Sequence, residues 1–206
     1  MKPEELPERD QFGRLLEDRG VWRQATTLEA AGELTARWLE GGSSYQPGHF
    51  AAGYDAETGP IAAALAELNR NGLFTKESQP GLQTGTAAQR EYVTGFCSAA
   101  VAGDLLSLST RTDLVTVAHA PGEASSASIP VTLAGAEVTT VLGSSENPVD
   151  EAQIRDWADE TNDALALLLA DSWYVEILDP VWGRNGVLLP AVLGALTGRD
   201  VGHYRT

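Results

Sequence analysis

The sequence is poor in sulfur. Its one cysteine, Cys97, excludes an internal disulfide and any multi-cysteine metal site, and its one methionine is Met1. Positive charge is also scarce: 14 Lys and Arg stand against 29 Asp and Glu, for a formal net charge of −15. Such a field repels phosphate backbones and anionic lipid, so neither nucleic acid nor a membrane surface is expected as a partner. It mildly favours cationic ligands. No stretch reaches the ~18 apolar residues of a membrane span. The acidic opening MKPEELPERDQFGRLLEDRG lacks the apolar segment of a secretory signal, and a cytoplasmic protein is the expectation. Catalytic signatures are missing as well. There is no GxGxxG, P-loop, GxSxG or HExxH, and His49, His119 and His203 share no metal-ligand spacing. Neither a metal nor a flavin is expected.

What is present fits an ordinary globular chain. With 206 residues, 43% hydrophobic and 21% charged, it suits one domain able to bury a core without staples. Residues 1–26 are charged and read as an N-terminal arm, much of it loose and a candidate lid, with Leu15, Leu16 and Trp22 as candidates to dock on the body, ahead of a single ligand-binding domain at 27–200. Thr27 reads as an N-cap, followed by Leu28, Ala31, Leu34 and Trp38 at helical spacing up to Gly41. Residues 41–56 and 82–88 read as loops. Strands are expected near 73–78, 92–96, 114–119, 129–133, 137–142 and 173–178, with Ala134-Gly135 turning between two of them. Ser98 caps a helix to about Leu108. Pro148 and Asp150 open one long helix to about Asp171, with Ile154, Trp157, Ala164, Leu165 and Leu168 inward, and a last helix covers 187–196. Strands and helices mix without strict βαβ alternation, so the expected class is α+β, with a mixed or antiparallel sheet flanked by helices. Trp38 and Trp157 fall on apolar helix faces and read as core. Trp22 and Trp182 are candidates to flank a pocket. Cys97 reads as a small buried apolar residue rather than a reactive thiolate.

One segment, AETGPIAAALAELNRNGLFTKESQPG at 56–81, carries a geometric argument. A helix over 60–71 rises about 18 Å at ~1.5 Å per residue. A strand over 73–78 spans about 20 Å at ~3.3 Å per residue. A reversal at Gly72, the expected C′ glycine, therefore returns Ser78 to the neighbourhood of Glu57 and Thr58. A helix start, a carboxylate and hydroxyls then meet, a combination that suits a ligand with both anionic and cationic groups. Geometry alone leaves the plainer alternative open, in which Thr58 only caps, Glu57 is solvated and Ser78-Gln79-Pro80 is a turn.

The string NRNGLFTKESQP closely resembles a segment of the C-terminal regulatory domain of eukaryotic methylenetetrahydrofolate reductase. The similarity runs ungapped back to Ala56-Glu57-Thr58. It continues through Gln89-Arg90-Glu91-Tyr92-Val93 and Phe96, and ends with the Trp157 helix and Trp173-Tyr174-Val175-Glu176-Ile177-Leu178-Asp179. In order, it covers about 28–196; its specific part is 56–96. That domain binds S-adenosylmethionine and S-adenosylhomocysteine. The resemblance implies ligand contacts from Glu57, Thr58, Thr75 and Ser78, and from Thr132 in Ile129-Pro130-Val131-Thr132. This chain departs from the family in a shorter loop after Pro80. It also lacks the family's catalytic barrel and the linker that covers the ligand, so an equivalent lid falls to residues 1–26 or to a partner.

The resulting expectation is a stand-alone protein that binds S-adenosylmethionine or S-adenosylhomocysteine and senses or sequesters it, with a protein partner as the candidate recipient of the signal. Two other classes stay open. One is an enzyme acting on an S-adenosyl compound (a lyase, hydrolase or transferase) with Glu57 or Asp55 as acid or base. The other is a ligand-free interaction module.

Overall fold

Alternation of apolar residues sorts the central strands into two faces. In β4 (Tyr92–Cys97), Val93 and Cys97 point one way and Tyr92 and Phe96 the other; in β8 (Trp173–Leu178), Val175 and Ile177 oppose Tyr174 and Leu178. The computed structural model describes residues 7–123, 127–143 and 151–199. It pairs these two strands antiparallel, with β1 (Phe74–Gln79) outside β4 and β5 (Val115–His119) outside β8, giving a four-stranded sheet of order β1-β4-β8-β5. Against one face lie α2 (Leu28–Leu39), α3 (Ala62–Arg70), α4 (Ala99–Leu106) and α8 (Leu188–Thr197), which bury Leu65, Leu68, Leu105 and Val192 with Val93 and Val175. On the other face Phe74, Phe96 and Tyr174 pack with Trp22, Leu165 and Leu169. Each such fully buried side chain contributes about 1.5–3 kcal/mol. The fold is α+β with antiparallel sheets.

A second sheet extends this core. Residues 82–88, expected as loop, supply β2 (Leu82–Gln83) and part of β3 (Ala87–Gln89), and β3 pairs with β6 (Ile129–Ala134), which pairs with β7 (Glu137–Leu142). The β2–β3 turn is held by Thr84, whose hydroxyl oxygen accepts the Ala87 N–H at 3.0 Å. The segment is too polar and short for an alternation signal, and partner strands decide its conformation. Val131 and Leu142 pack on Tyr92 and Leu178, joining the two sheets.

Other boundaries also differ from expectation. The long helix is interrupted: α6 (Glu151–Glu160) and α7 (Asp163–Ala170) meet at Thr161-Asn162. Asn162 adopts extended backbone, its Oδ1 accepts the Leu165 N–H at 2.9 Å, and its Nδ2 donates to the Ala25 carbonyl at 2.7 Å. A capping side chain starts the second helix and ties it to the N-terminal region. Pro148, Asp150, His203 and the side chain of Ile154 lie outside the described residues. The N-terminal arm docks from residue 7 onward, and Trp22 packs on the body as expected. Helix α1 (Leu16–Trp22) ends in a Trp22 that is 1% exposed, its indole N–H donating to the Tyr45 carbonyl at 3.2 Å. Thr27 and Ser98 cap α2 and α4 as expected.

Candidate functional site

Helix α3 begins two residues later than expected. Ala56–Thr58 forms a 3-10 turn ahead of it, Thr58 accepts the Ile61 N–H on its carbonyl at 3.0 Å, and no side chain caps α3. At the far end the reversal occurs as the sequence predicts. Gly72 has φ 96°, and the Leu73 N–H donates to the Leu68 carbonyl at 3.1 Å, the six-to-one bond of a Schellman ending. Strand β1 then runs back along α3. Its end meets the 3-10 turn, where Gln79 Nε2 donates to Glu57 Oε1 at 3.0 Å.

Asn69 fixes the start of that strand. It is 2% exposed, and its Nδ2 donates to the Leu65 carbonyl at 2.8 Å and to Thr75 Oγ1 at 2.7 Å, while its Oδ1 accepts the Thr75 N–H at 3.0 Å. A side chain on the helix thus brackets one residue of the strand. Because Thr75 Oγ1 accepts from Asn69, its own hydrogen is left to donate elsewhere. Just beyond, the ladder with β4 slips between Thr75 and Glu77, so Lys76 is an unpaired bulge residue. Helices α2 and α3 cross closely to allow this. A Cβ on Gly32 would lie 2.4 Å from the Asn69 carbonyl oxygen, which makes glycine obligatory at that contact.

A cavity of about 960 Å³ opens where the 3-10 turn, the bulged strand and the 46–58 loop meet. Its walls take Arg19 from α1, Trp38 from α2, and Asp156 and Trp157 from α6. Trp38 stands edge-on to Tyr54 at 5.8 Å and to His49 at 4.9 Å between ring centroids. The loop is held by side chains. Arg14, paired with Asp10 at 2.7 Å, donates to the His49 carbonyl at 2.6 Å, Asp18 accepts the Ser44 N–H at 2.7 Å, and Glu160 accepts the Gly48 N–H at 2.5 Å. Tyr92 lines the floor, and burial pushes its phenol up to about 12, so it is a hydroxyl donor at neutral pH.

Glu57, Thr58, Thr75 and Ser78 all line this one cavity, as does Asp55. Thr132 does not. It sits on β6, its hydroxyl 3.5 Å from Gln89 Oε1; Gln89 Nε2 donates to Gln79 Oε1 at 3.1 Å, and Gln79 in turn reaches Glu57. Thr132 therefore stands at the end of a chain of side chains that orients the Glu57 carboxylate, rather than in the wall. Trp38 and Trp157 pack on the core as expected, and they also line the cavity. The other two tryptophans differ from expectation. Trp22 is interior, and Trp182 lies under the Arg90 guanidinium at 4.3 Å, away from the cavity. Cys97 is fully buried, and burial pushes its thiol up to about 12, so it is no thiolate nucleophile. Wall residues not anticipated from sequence include Arg19, Trp38, Trp157, Lys76, Glu77 and the acids of α6. Lys76 and Glu77 lay within the informative string, and their signal was its bulge, which periodicity does not reveal.

The model of a family described as Domain of unknown function (DUF6919) matches residues 17–199, and the chain belongs to that family. No curated protein matches it.

Proposed function

We propose that this family member binds S-adenosylmethionine or S-adenosylhomocysteine in the cavity and senses or sequesters it in the cytoplasm, handing the signal to a protein partner. The carrying observation is that Glu57, Thr58, Thr75 and Ser78, far apart in the helix-strand string that resembles the reductase regulatory domain, line one cavity. Its volume suits a nucleoside-amino acid ligand, since sites for drug-sized molecules run roughly 300–1,000 Å³. The chemistry of the wall supports the reading. Glu57 has Oε1 engaged by Gln79, and a carboxylate has lone pairs left for ribose hydroxyls or an ammonium. Thr75 donates from a hydroxyl fixed by Asn69. Arg19 offers a guanidinium for the ligand carboxylate, and the Trp38 and Trp157 rings offer faces for adenine.

Titration calorimetry with each ligand tests the proposal. Glu57→Ala should weaken binding about tenfold, the lower end for a hydrogen bond to a charged group because Glu57 is exposed. The proposal fails if neither compound at millimolar concentration gives heat or a thermal shift. Chromatography of the incubated ligand runs alongside; product formation would replace the binding reading by the enzymatic one.

A further inference from the structure

The charge around the cavity is lopsided. Asp55, Glu57, Glu77, Asp156, Asp159 and Glu160 line it, whereas the cations among its described lining residues are Arg19 and Lys76. Both cations are partly engaged within the wall. Arg19 donates to the Asp159 carbonyl at 3.0 Å, and Lys76 Nζ lies 4.0 Å from Glu77 Oε1 and 5.6 Å from the centre of the Tyr174 ring. A cleft lined by one sign of charge concentrates ligands of the other.

We infer that the cavity selects its ligand by positive charge: it takes the sulfonium form, S-adenosylmethionine, in preference to the neutral thioether S-adenosylhomocysteine. This rests on the binding reading above. The two compounds share carboxylate, ammonium, ribose and adenine, so the wall distinguishes them by one unit of charge and one methyl group. Asp55, Glu57, Glu77, Asp156 and Asp159 are exposed, and at such positions a unit charge at several ångströms changes affinity by a few fold to tenfold, and added salt screens it. The aromatic rings add attraction for a cation over their faces.

Calorimetry on the full chain with three probes tests this: the sulfonium, the thioether, and an analogue with an amine in place of the sulfonium. At 20 mM NaCl the sulfonium and the amine should each bind roughly fivefold or more tighter than the thioether. The ratio should shrink toward unity at 500 mM NaCl. The double variant Glu77→Gln, Asp156→Asn should lower the ratio at low salt. Equal binding of sulfonium and thioether, or tighter binding of the thioether, overturns the charge inference and leaves the binding reading standing. A preference for the sulfonium that the amine does not share, or that salt leaves unchanged, also overturns it, because the methyl group would then be what is read. Absence of binding by all three overturns both.

Discussion

Removing the Asn69 side chain is the sharpest test of how the site is built. Asn69→Ala deletes two bonds to Thr75, at 2.7 and 3.0 Å, and leaves the Thr75 N–H without its acceptor in a residue only 9% exposed. The Leu65 carbonyl is less affected, since the helix itself supplies it with a backbone donor. An orphaned buried donor costs about 1–3 kcal/mol, and the lost bond to the hydroxyl about 1 kcal/mol more, for an expected loss of about 2–4 kcal/mol. Thr75→Val is the companion variant. It removes the hydroxyl, keeps the β-branched shape, and leaves the bond from the Thr75 N–H to Asn69 Oδ1 intact, so its expected loss is about 1 kcal/mol. Urea unfolding followed by tryptophan fluorescence reads both, with an unchanged m-value required so that midpoints report stability. If Asn69→Ala loses no more than Thr75→Val, the bracket does not hold the strand, and the account of how Thr75 is positioned is wrong.

Gly72→Ala should destabilise by about 1 kcal/mol, because a side chain strains the φ of 96° even though Val101 at 3.4 Å leaves room for a Cβ; an unchanged melting temperature would contradict the Schellman ending. Glu91, 1% exposed at the start of α8, is pushed above the usual carboxylate range by burial, against the opposing bonds from the Leu188, Gly186 and Val187 N–H groups. A carboxyl raised in the folded state stabilises in its protonated form, and that contribution is lost as pH rises from its unfolded value near 4.5 through its folded one. The melting temperature of the protein minus that of Glu91→Gln should therefore fall as pH goes from 4 to 7, and a difference that stays flat or rises would refute the reading.

Much of the core was legible because it depends on local pattern. Thr27, Ser98 and Gly72 are signals whose physics is contained within a few residues, and each does what its type predicts. Short apolar runs placed β4 and β8, because both their faces are buried against apolar layers. The misses share the opposite cause. β2 and β3 exist because β6 lies beside them, and no pattern in Leu82–Gln89 announces a partner 40 residues away. The break at Asn162 depends on Ala25, which lies more than a hundred residues earlier. The candidate site was half legible. Glu57, Thr58, Thr75 and Ser78 meet because a helix and a strand of known lengths are joined by a tight reversal. The opposite wall, with Arg19, Trp38 and Trp157, comes from three separate elements, and their convergence is tertiary.

That convergence has a physical origin in strand β1. It is an edge strand, and its side away from β4 would expose unpaired backbone groups if left bare. Two devices deal with this. The Thr75 N–H is taken by Asn69 rather than by a strand, and the bulge at Lys76 turns the rest of β1 out of the ladder's regular course. Beyond that point the 46–58 loop faces the edge, but it forms no strand with it. The loop is suspended instead from Arg14, Asp18 and Glu160, each reaching one of its backbone groups or its anchor at Ser44. A cover held off the edge by side chains encloses a gap, and that gap is the cavity. Such a wall has few buried apolar contacts of its own, so it opens at lower free energy than the sheet beneath it. The same feature that protects the sheet edge from pairing with another chain thereby leaves the cavity open beside it, without any disturbance of the core on which Thr75 is fixed.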